Sequence, residues 1–583
     1  MTTRPELSGT FGMVASTHWL ASASGMATLE AGGNAFDAAV ATAFTLQVVQ
    51  PDQNGPGGDV PILLWSRARG EPLVVCGQGP APRAATVERF RALGLAVIPG
   101  TGLLAPCVPG AFDAWLLLLR DFGTLRLADV MAYAIHYAER GFPVTPGLAS
   151  SIAGVEDLFR VEWRSSAALW LSGGGAPRPG TTATNPALAA TLRRILREAE
   201  QATADRDGQI QRARDVFLRG FVAEAIDDHL RTPAWDSSGR RHAGLMTGED
   251  LAAFAATVEP TVRYDYAGHT VCKTGPWGQG PVLVQQLALL AGFDLPAMGR
   301  DSAAFVHTVL ECAKLAFADR EAWYGDPAHV EVDVGALLDG ERTAARRGLV
   351  GERASLELRP GPLGGRAPVL PSFPTAGGAE SAAGIGEPSR GDTCHLDVVD
   401  RDGNMVTASP SGGWLQSSPA VPGLGFPLGT RAQMLWLDEG HPNALAPGKR
   451  PRTTLSPTLV LRDGAPYLAL GTPGGDQQDQ WSLLMLLSHL HFGMNLQEAI
   501  DAPAFHTNHF PSSFDPHIAV PGEVEIESRF APATLRELAD RGHRLVVVDP
   551  WSLGELSGVS RGADGILRAG ANPRGMQGYA AGR

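Results

Sequence analysis

The sequence predicts a mixed α/β protein in which antiparallel sheet lies beneath helices. Three observations carry this expectation. Residues 20–49 are dense in Ala, Leu, Val and Met and are interrupted at Gly32-Gly33-Asn34, which reads as two helices with a Gly-rich break between them. Residues 395–408 and 457–470 each read as a β-hairpin, with turns at Asp402-Gly403 and Asp463-Gly464. A helical stretch from about Gln478 to Phe492 follows the second hairpin.

The other elements follow the same logic. Pro and Gly crowd Gln50–Asp59, so it must be loop, and Val60–Trp65 reads as a buried strand. Thr247-Gly248-Glu249-Asp250 has the layout of a capping box, with Asp in the acidic position. A helix is predicted from about Ala303 to Trp323, stopping at Gly325-Asp326-Pro327. Residues 352–392 change character. Pro, Gly, Ala and Ser dominate there, and such chain buries little apolar surface, so a mobile linker is predicted. Order resumes at Thr393. The chain thus divides into residues 1–392, ending in the linker, and residues 393–583.

Composition narrows the function. At 583 residues, 44% hydrophobic and 19% charged, the chain has the make-up of a soluble globular protein. Its net charge of −13 has no basic cluster to offset it, which argues against a nucleic-acid partner. No apolar run reaches the roughly 18 residues of a spanning helix, so no membrane partner is expected. The N-terminal residues lack an apolar signal core, so the cytoplasm is the expected location. The 5 cysteines are scattered and form no C-x-x-C pair, which fits neither a disulfide framework nor a zinc ribbon. His136-x-x-Glu139 and His489-x-His491 have only loose ligand spacing and read better as helix surface or core. No metal and no cofactor are expected.

A linker that ends at a Thr opening a strand carries chemistry of its own. A Thr hydroxyl is a poor nucleophile without a neighbouring base. Cleavage before Thr393 would place a new α-amine beside that hydroxyl, and an α-amine with a pKa near roughly 7.7–8 is a workable general base. In the uncut chain the same hydroxyl can attack the Asp392 carbonyl, and an N-to-O acyl shift followed by water completes the cut. The oxyanion then needs fixed donors. Pro473-Gly474-Gly475 offers bare backbone amides at the start of a helix, where the dipole adds positive potential.

On these residues the chain resembles the γ-glutamyltransferase family of N-terminal-nucleophile hydrolases. The resemblance spans nearly the whole chain. It rests on Gly12–Ser16, Gly32–Ala41, Gly55–Asp59, Gly244–Leu251, Ala318-Asp319-Arg320 with Gly325-Asp326-Pro327, Thr393-Cys394-His395 with Val398–Asn404, Leu455–Thr458 and Pro473–Gly475. It implies a four-layer α/β/β/α sandwich and self-cleavage into a large and a small subunit that stay associated in one intertwined catalytic domain. It also implies a covalent acyl-enzyme formed from a small-molecule amide, with water or an amine as acceptor. The family's nucleophile falls on Thr393, its oxyanion hole on Gly474 and Gly475, and its second Thr on Ser411. The Ser pair that holds the substrate carboxylate falls on Thr453 and Thr454, and Gln433 lies in the amino-group region.

Two departures stand out. The family's glutamyl-binding Arg falls on Val87, with Arg83 or Arg89 as nearby substitutes. Its amino-group Asp falls near Trp436, after Gln433-Met434-Leu435. Charge-assisted hydrogen bonds contribute about 1.5–3 kcal/mol each, so losing both weakens γ-glutamyl binding by several orders of magnitude. An acyl group other than γ-glutamyl is expected, as in the family's cephalosporin acylase-like and oxamate amidohydrolase-like members, which Gly475–Trp481 also resembles. Cys394 is a rival nucleophile, but neighbours on a strand point to opposite faces. His395 shares the Thr393 face and is a rival base. Glutathione hydrolysis with γ-glutamyl transfer is one alternative activity, and an uncleaved binding protein is another.

Overall fold

The computed structural model describes residues 2–376 and 393–583. Fourteen strands build its two central sheets: β1 (Leu7–Gly9), β2 (Gly12–Ser16), β3 (Val60–Ser66), β4 (Glu71–Gly77), β5 (Thr257–Pro260), β6 (Val262–Tyr266), β7 (His269–Lys273), β8 (Leu396–Asp400), β9 (Met405–Ala408), β10 (Thr458–Arg462), β11 (Ala465–Gly471), β12 (Ser557–Arg561), β13 (Leu567–Ala571) and β14 (Tyr579–Gly582). The first sheet runs β14-β2-β8-β9-β3-β4-β5 and the second β1-β13-β12-β11-β10-β7-β6. Neighbouring strands are antiparallel in both.

Period-two alternation decides which layer each side chain enters. From the first sheet, Val14, Ile62, Leu64, Val398 and Val406 point outward to helices α1 (Trp19–Glu30) and α2 (Ala35–Val49). Their neighbours Met13, Leu63, Trp65, Val399 and Met405 point inward and meet Leu459, Leu461, Ala469 and Val559 of the second sheet. The outer face of that sheet, with Val271, Val460, Leu468 and Leu470, packs under α3 (Pro281–Leu290), α4 (Ala303–Trp323) and α5 (Gln478–Phe492). The expected α/β/β/α sandwich is therefore present.

The predicted elements coincide closely with the observed ones. Both hairpins form, pairing Leu396 with Ala408 and Thr458 with Leu470. Asp463 and Gly464 both take positive φ, 52° and 75°, the turn that matches strand twist. Thr247 and Asp250 exchange the capping-box bonds. The break at residues 31–34 ends in Asn34, whose side chain caps α2 at Phe36 and Asp37. Asp37 returns a bond to the Asn34 amide and also accepts from the Thr124 amide and hydroxyl and from the Leu125 amide.

One expectation needs correction. The linker was predicted to be mobile from residue 352, yet residues 352–376 are held in place. Asp319 and Trp323 of α4 bond Gly361, Leu363 is buried, and Ala376 bonds Ala519. Buried polar groups on α4 supply anchors that composition does not reveal. The rest of the predicted linker, with Asp392, lies outside the described residues.

Asp37 is fully buried and joins two helices to one loop. Asp37→Ala is expected to destabilise the protein by about 3 kcal/mol, because buried amides lose a charged acceptor. An unchanged urea midpoint for the variant would refute that role.

Candidate active site

Thr393 stands just ahead of β8, and a local bridge pairs it with Ser411, just beyond β9. Ser411 in turn bridges Asp59, just ahead of β3, through two backbone bonds of 2.9 and 3.0 Å. These three residues form one row across the end of the first sheet. Alternation continued from β8, β9 and β3 turns the row toward the second sheet. Thr393 Oγ1 donates to Ser411 Oγ at 3.1 Å, and Thr393 is 3% exposed. Gly58 is what lets the 55–59 loop approach so closely, since a Cβ there would lie 2.1 Å from the Ser411 carbonyl oxygen. Arg431 reaches Asp59 Oδ1 through Nε at 3.1 Å and Nη2 at 2.9 Å. Burial pushes the Asp59 carboxyl up, and Arg431 offsets only part of that.

The rival groups point elsewhere. Cys394 lies among the helix-facing residues, where Asn54 donates to Sγ at 3.1 Å. Burial of Cys394 on that side keeps it off the Thr393 face. His395 is on the Thr393 face but fully buried, with Nδ1 at 3.0 Å from Ser409 Oγ and Nε2 at 2.9 Å from Asp397. Both ring nitrogens are engaged, so His395 is not poised as a base. It sets the gap between the sheets instead: a Cβ on Gly471 would lie 2.3 Å from its ring.

Past Gly471 the chain leaves β11 and turns sharply. Gly474 takes φ 117° and Gly475 φ 57°, and α5 begins at Gln478. A side chain at Gly474 would strike the Trp481 ring at 2.2 Å. The next residue, Asp476, is gripped by Arg320 and accepts from the Ser513 amide and hydroxyl at 2.8 and 2.6 Å. Burial alone would raise the Asp476 carboxyl, but Arg320 and Ser513 outweigh it and hold it below its ordinary value. Arg320 also binds Glu321 at 2.6 Å, and Glu321 binds Arg452 at 3.0 Å. Arg452 leads into Thr453 and Thr454, and Thr453 is fixed by backbone bonds to Trp277 and Gln279. One buried ionic chain therefore connects the Gly474-Gly475 turn to the Thr453-Thr454 segment.

The residues expected to bind substrate are placed unevenly. Thr453 and Thr454 are buried, and Thr454 Oγ1 has no hydrogen-bond partner among the described residues. The Gln433 amide is fully employed: Nε2 donates to Gly100 and Thr430, and Oε1 accepts from Asp515. Trp436 packs against His517 in a tilted arrangement, with ring centroids 4.1 Å apart. Val87 sits in a side core with Phe90, Leu435 and Leu437. Arg89 is exposed on its short helix, and Arg83 faces Asp250 at the surface. Sequence reasoning missed Arg431, Arg452, Glu321, Trp414 and Phe514, because a buried Arg or aromatic carries no pattern of its own. Among the described residues, His307, Glu311 and His543 bring ligand atoms within 4.8 Å of one another. Lys314 and Arg359 already neutralise Glu311, which leaves little attraction for a cation.

Fold and site together define the class of amide-cleaving N-terminal-nucleophile hydrolases. Residues 21–582 match the family described as Gamma-glutamyltranspeptidase, and the chain belongs to that family. A structure described as that of LmbA2991HD is 55% identical, with a TM-score of 0.95 over 100% of both chains. The cephalosporin acylase of Bacillus halodurans is 30% identical, with a TM-score of 0.83 over 100% of this chain and 97% of its own. The oxamate amidohydrolase proenzyme of Klebsiella pneumoniae is 32% identical over 585 residues, covering 98% of each chain. This chain is thus an enzyme acting on amide bonds.

The left-handed turn makes a sharp expectation. Gly474→Ala is expected to lower kcat by about 10²–10³-fold, the loss typical of one misplaced oxyanion donor. Steady-state kinetics on any cleaved anilide checks it; a variant within twofold of wild type would remove Gly474 from the reaction.

Proposed function

We propose that the chain is a self-processing amidohydrolase or acyltransferase with Thr393 as nucleophile and an acyl group other than γ-glutamyl. The observation that carries this reading is the buried Thr393 hydroxyl, aligned by Ser411 at 3.1 Å at the head of a strand. In the precursor Thr393 Oγ attacks the carbonyl of Asp392. The peptide C–N bond gives way to an ester, the released α-amine takes the proton, and water hydrolyses the ester. In the mature enzyme the α-amine accepts the Oγ proton while Oγ attacks the substrate amide, and it passes that proton to the leaving amine. Water or a second amine then releases the acyl group. Gly474 and Gly475 are the proposed oxyanion donors, and Thr453 and Thr454 the proposed substrate contacts. The acyl-group reading is supported by the buried aliphatic Val87, the exposed Arg89 and the Trp436 ring packed against His517. The acylase and amidohydrolase relatives point the same way.

Intact mass of the purified protein tests the processing step. Wild type is expected as two fragments, 1–392 and 393–583, and Thr393→Ala as one uncut chain. A folded wild type that stays whole would overturn the mechanism. For the acyl group, a γ-glutamyl anilide is expected to be cleaved with kcat/KM at least about 100-fold below the best acyl anilide, as the loss of two charged contacts implies. Comparable rates would restore the γ-glutamyl reading.

A further inference from the structure

The contacts around Thr393 form a circuit. Gly475 lies against Phe514, where a Cβ would come 3.0 Å from the ring. The Phe514 ring faces Trp414 with centroids 6.3 Å apart, and the Arg431 guanidinium lies over Trp414 at 5.3 Å. Arg431 binds Asp59, Asp59 pairs with Ser411, and Ser411 holds Thr393. This chain of contacts runs from the Gly474-Gly475 turn to Thr393 and places the Asp59–Arg431 pair between the two.

Its polar corner is incompletely used. Arg431 is 4% exposed and spends Nε and Nη2 on a single oxygen, Asp59 Oδ1. Nη1 donates to nothing among the described residues. Asp59 is equally buried, at 4% exposed, and its other oxygen, Oδ2, is buried without a hydrogen-bond partner among them. The Gln78 amide leans toward Asp59 without closing a bond of good geometry. A buried acceptor left unused, as Asp59 Oδ2 is, is costly unless a ligand or water completes it. The two free positions differ in kind: one donates and one accepts.

We propose that the Asp59–Arg431 pair is an acyl-recognition subsite for an uncharged head that both accepts and donates hydrogen bonds, of the carboxamide type. This rests on the amidase reading above and specifies its substrate class. The carbonyl of the head accepts from Arg431 Nη1 and its N–H donates to Asp59 Oδ2. Trp414 and Phe514 flank the apolar spacer between that head and the scissile amide. A carboxylate head is disfavoured, because it adds a third buried charge to a pair that is already neutral and presses against Asp59. An alkyl head leaves both free positions unfilled.

The test compares 4-nitroanilides of three five-carbon acyl groups that differ at the far end: glutaramoyl with a carboxamide, glutaryl with a carboxylate, and pentanoyl with a methyl. Processed wild type is expected to favour glutaramoyl over each of the others by at least tenfold in kcat/KM. Asp59→Asn leaves the guanidinium uncompensated and should shift the glutaryl-to-glutaramoyl ratio at least tenfold toward glutaryl. Arg431→Gln should narrow the glutaramoyl-to-pentanoyl ratio at least tenfold, whatever the change in the absolute rates. Should either variant fail to fold, the wild-type preference alone decides. A wild type that prefers glutaryl or pentanoyl, or that cuts itself yet hydrolyses none of the three, overturns the subsite. A wild type that neither cuts itself nor hydrolyses any of them overturns the amidase reading on which the subsite rests.

Discussion

The buried chain of alternating charges Asp476–Arg320–Glu321–Arg452 holds the candidate site in shape. Each member is enclosed in protein, where an unpaired charge costs several kcal/mol. Each can stay charged only because its neighbours are in place. Arg320 and Glu321 ride on α4, a helix buried along its whole length, so the network is referenced to a rigid element. Two segments, the Gly474-Gly475 turn and the Thr453-Thr454 segment, are tied to it. Their relative spacing is therefore set electrostatically.

The inner layer between the sheets is filled differently along its length. Toward the middle it is apolar, with Leu63, Trp65, Leu459 and Val559 in contact. Toward the Thr393 end it turns polar: His395, Asp397, Ser409 and Ser557 bond one another in full burial. This satisfied network closes the layer beneath Thr393 and supports the strand that carries it. The change from packing to hydrogen bonding along one inter-sheet layer ends at the buried Thr393 hydroxyl.

Sequence alone disclosed most of the fold, because the relevant signals are local. The Asn34 cap, the Asp463-Gly464 turn and the extent of α5 each depend on a few adjacent residues. Thr393, Gly474 and Gly475 were singled out as candidates for the same reason, each beside a strand start or a turn, whereas Ser411 came only from the family resemblance. The partners Arg431, Arg452 and Glu321 were not legible. Their roles depend on contacts across more than a hundred residues of chain, and an Arg destined for burial has the same local sequence as an exposed one. Residues 352–376 misled for the converse reason: a composition typical of unanchored chain was overruled by Asp319 and Trp323 waiting on a distant helix.

The strand order bears on what a cut before Thr393 would produce. In the first sheet β2, from the beginning of the chain, is inserted between β14 and β8, both from after the cut. In the second, β1 caps one edge and β7 with β6 the other, around four strands from the later part. Each fragment thus completes hydrogen-bond ladders in both sheets of the other. Parting them means breaking two sheets at once, so dissociation and denaturation become the same event. The two-chain product should behave as a single thermodynamic body, insensitive to dilution, and neither half is expected to persist as a folded species by itself.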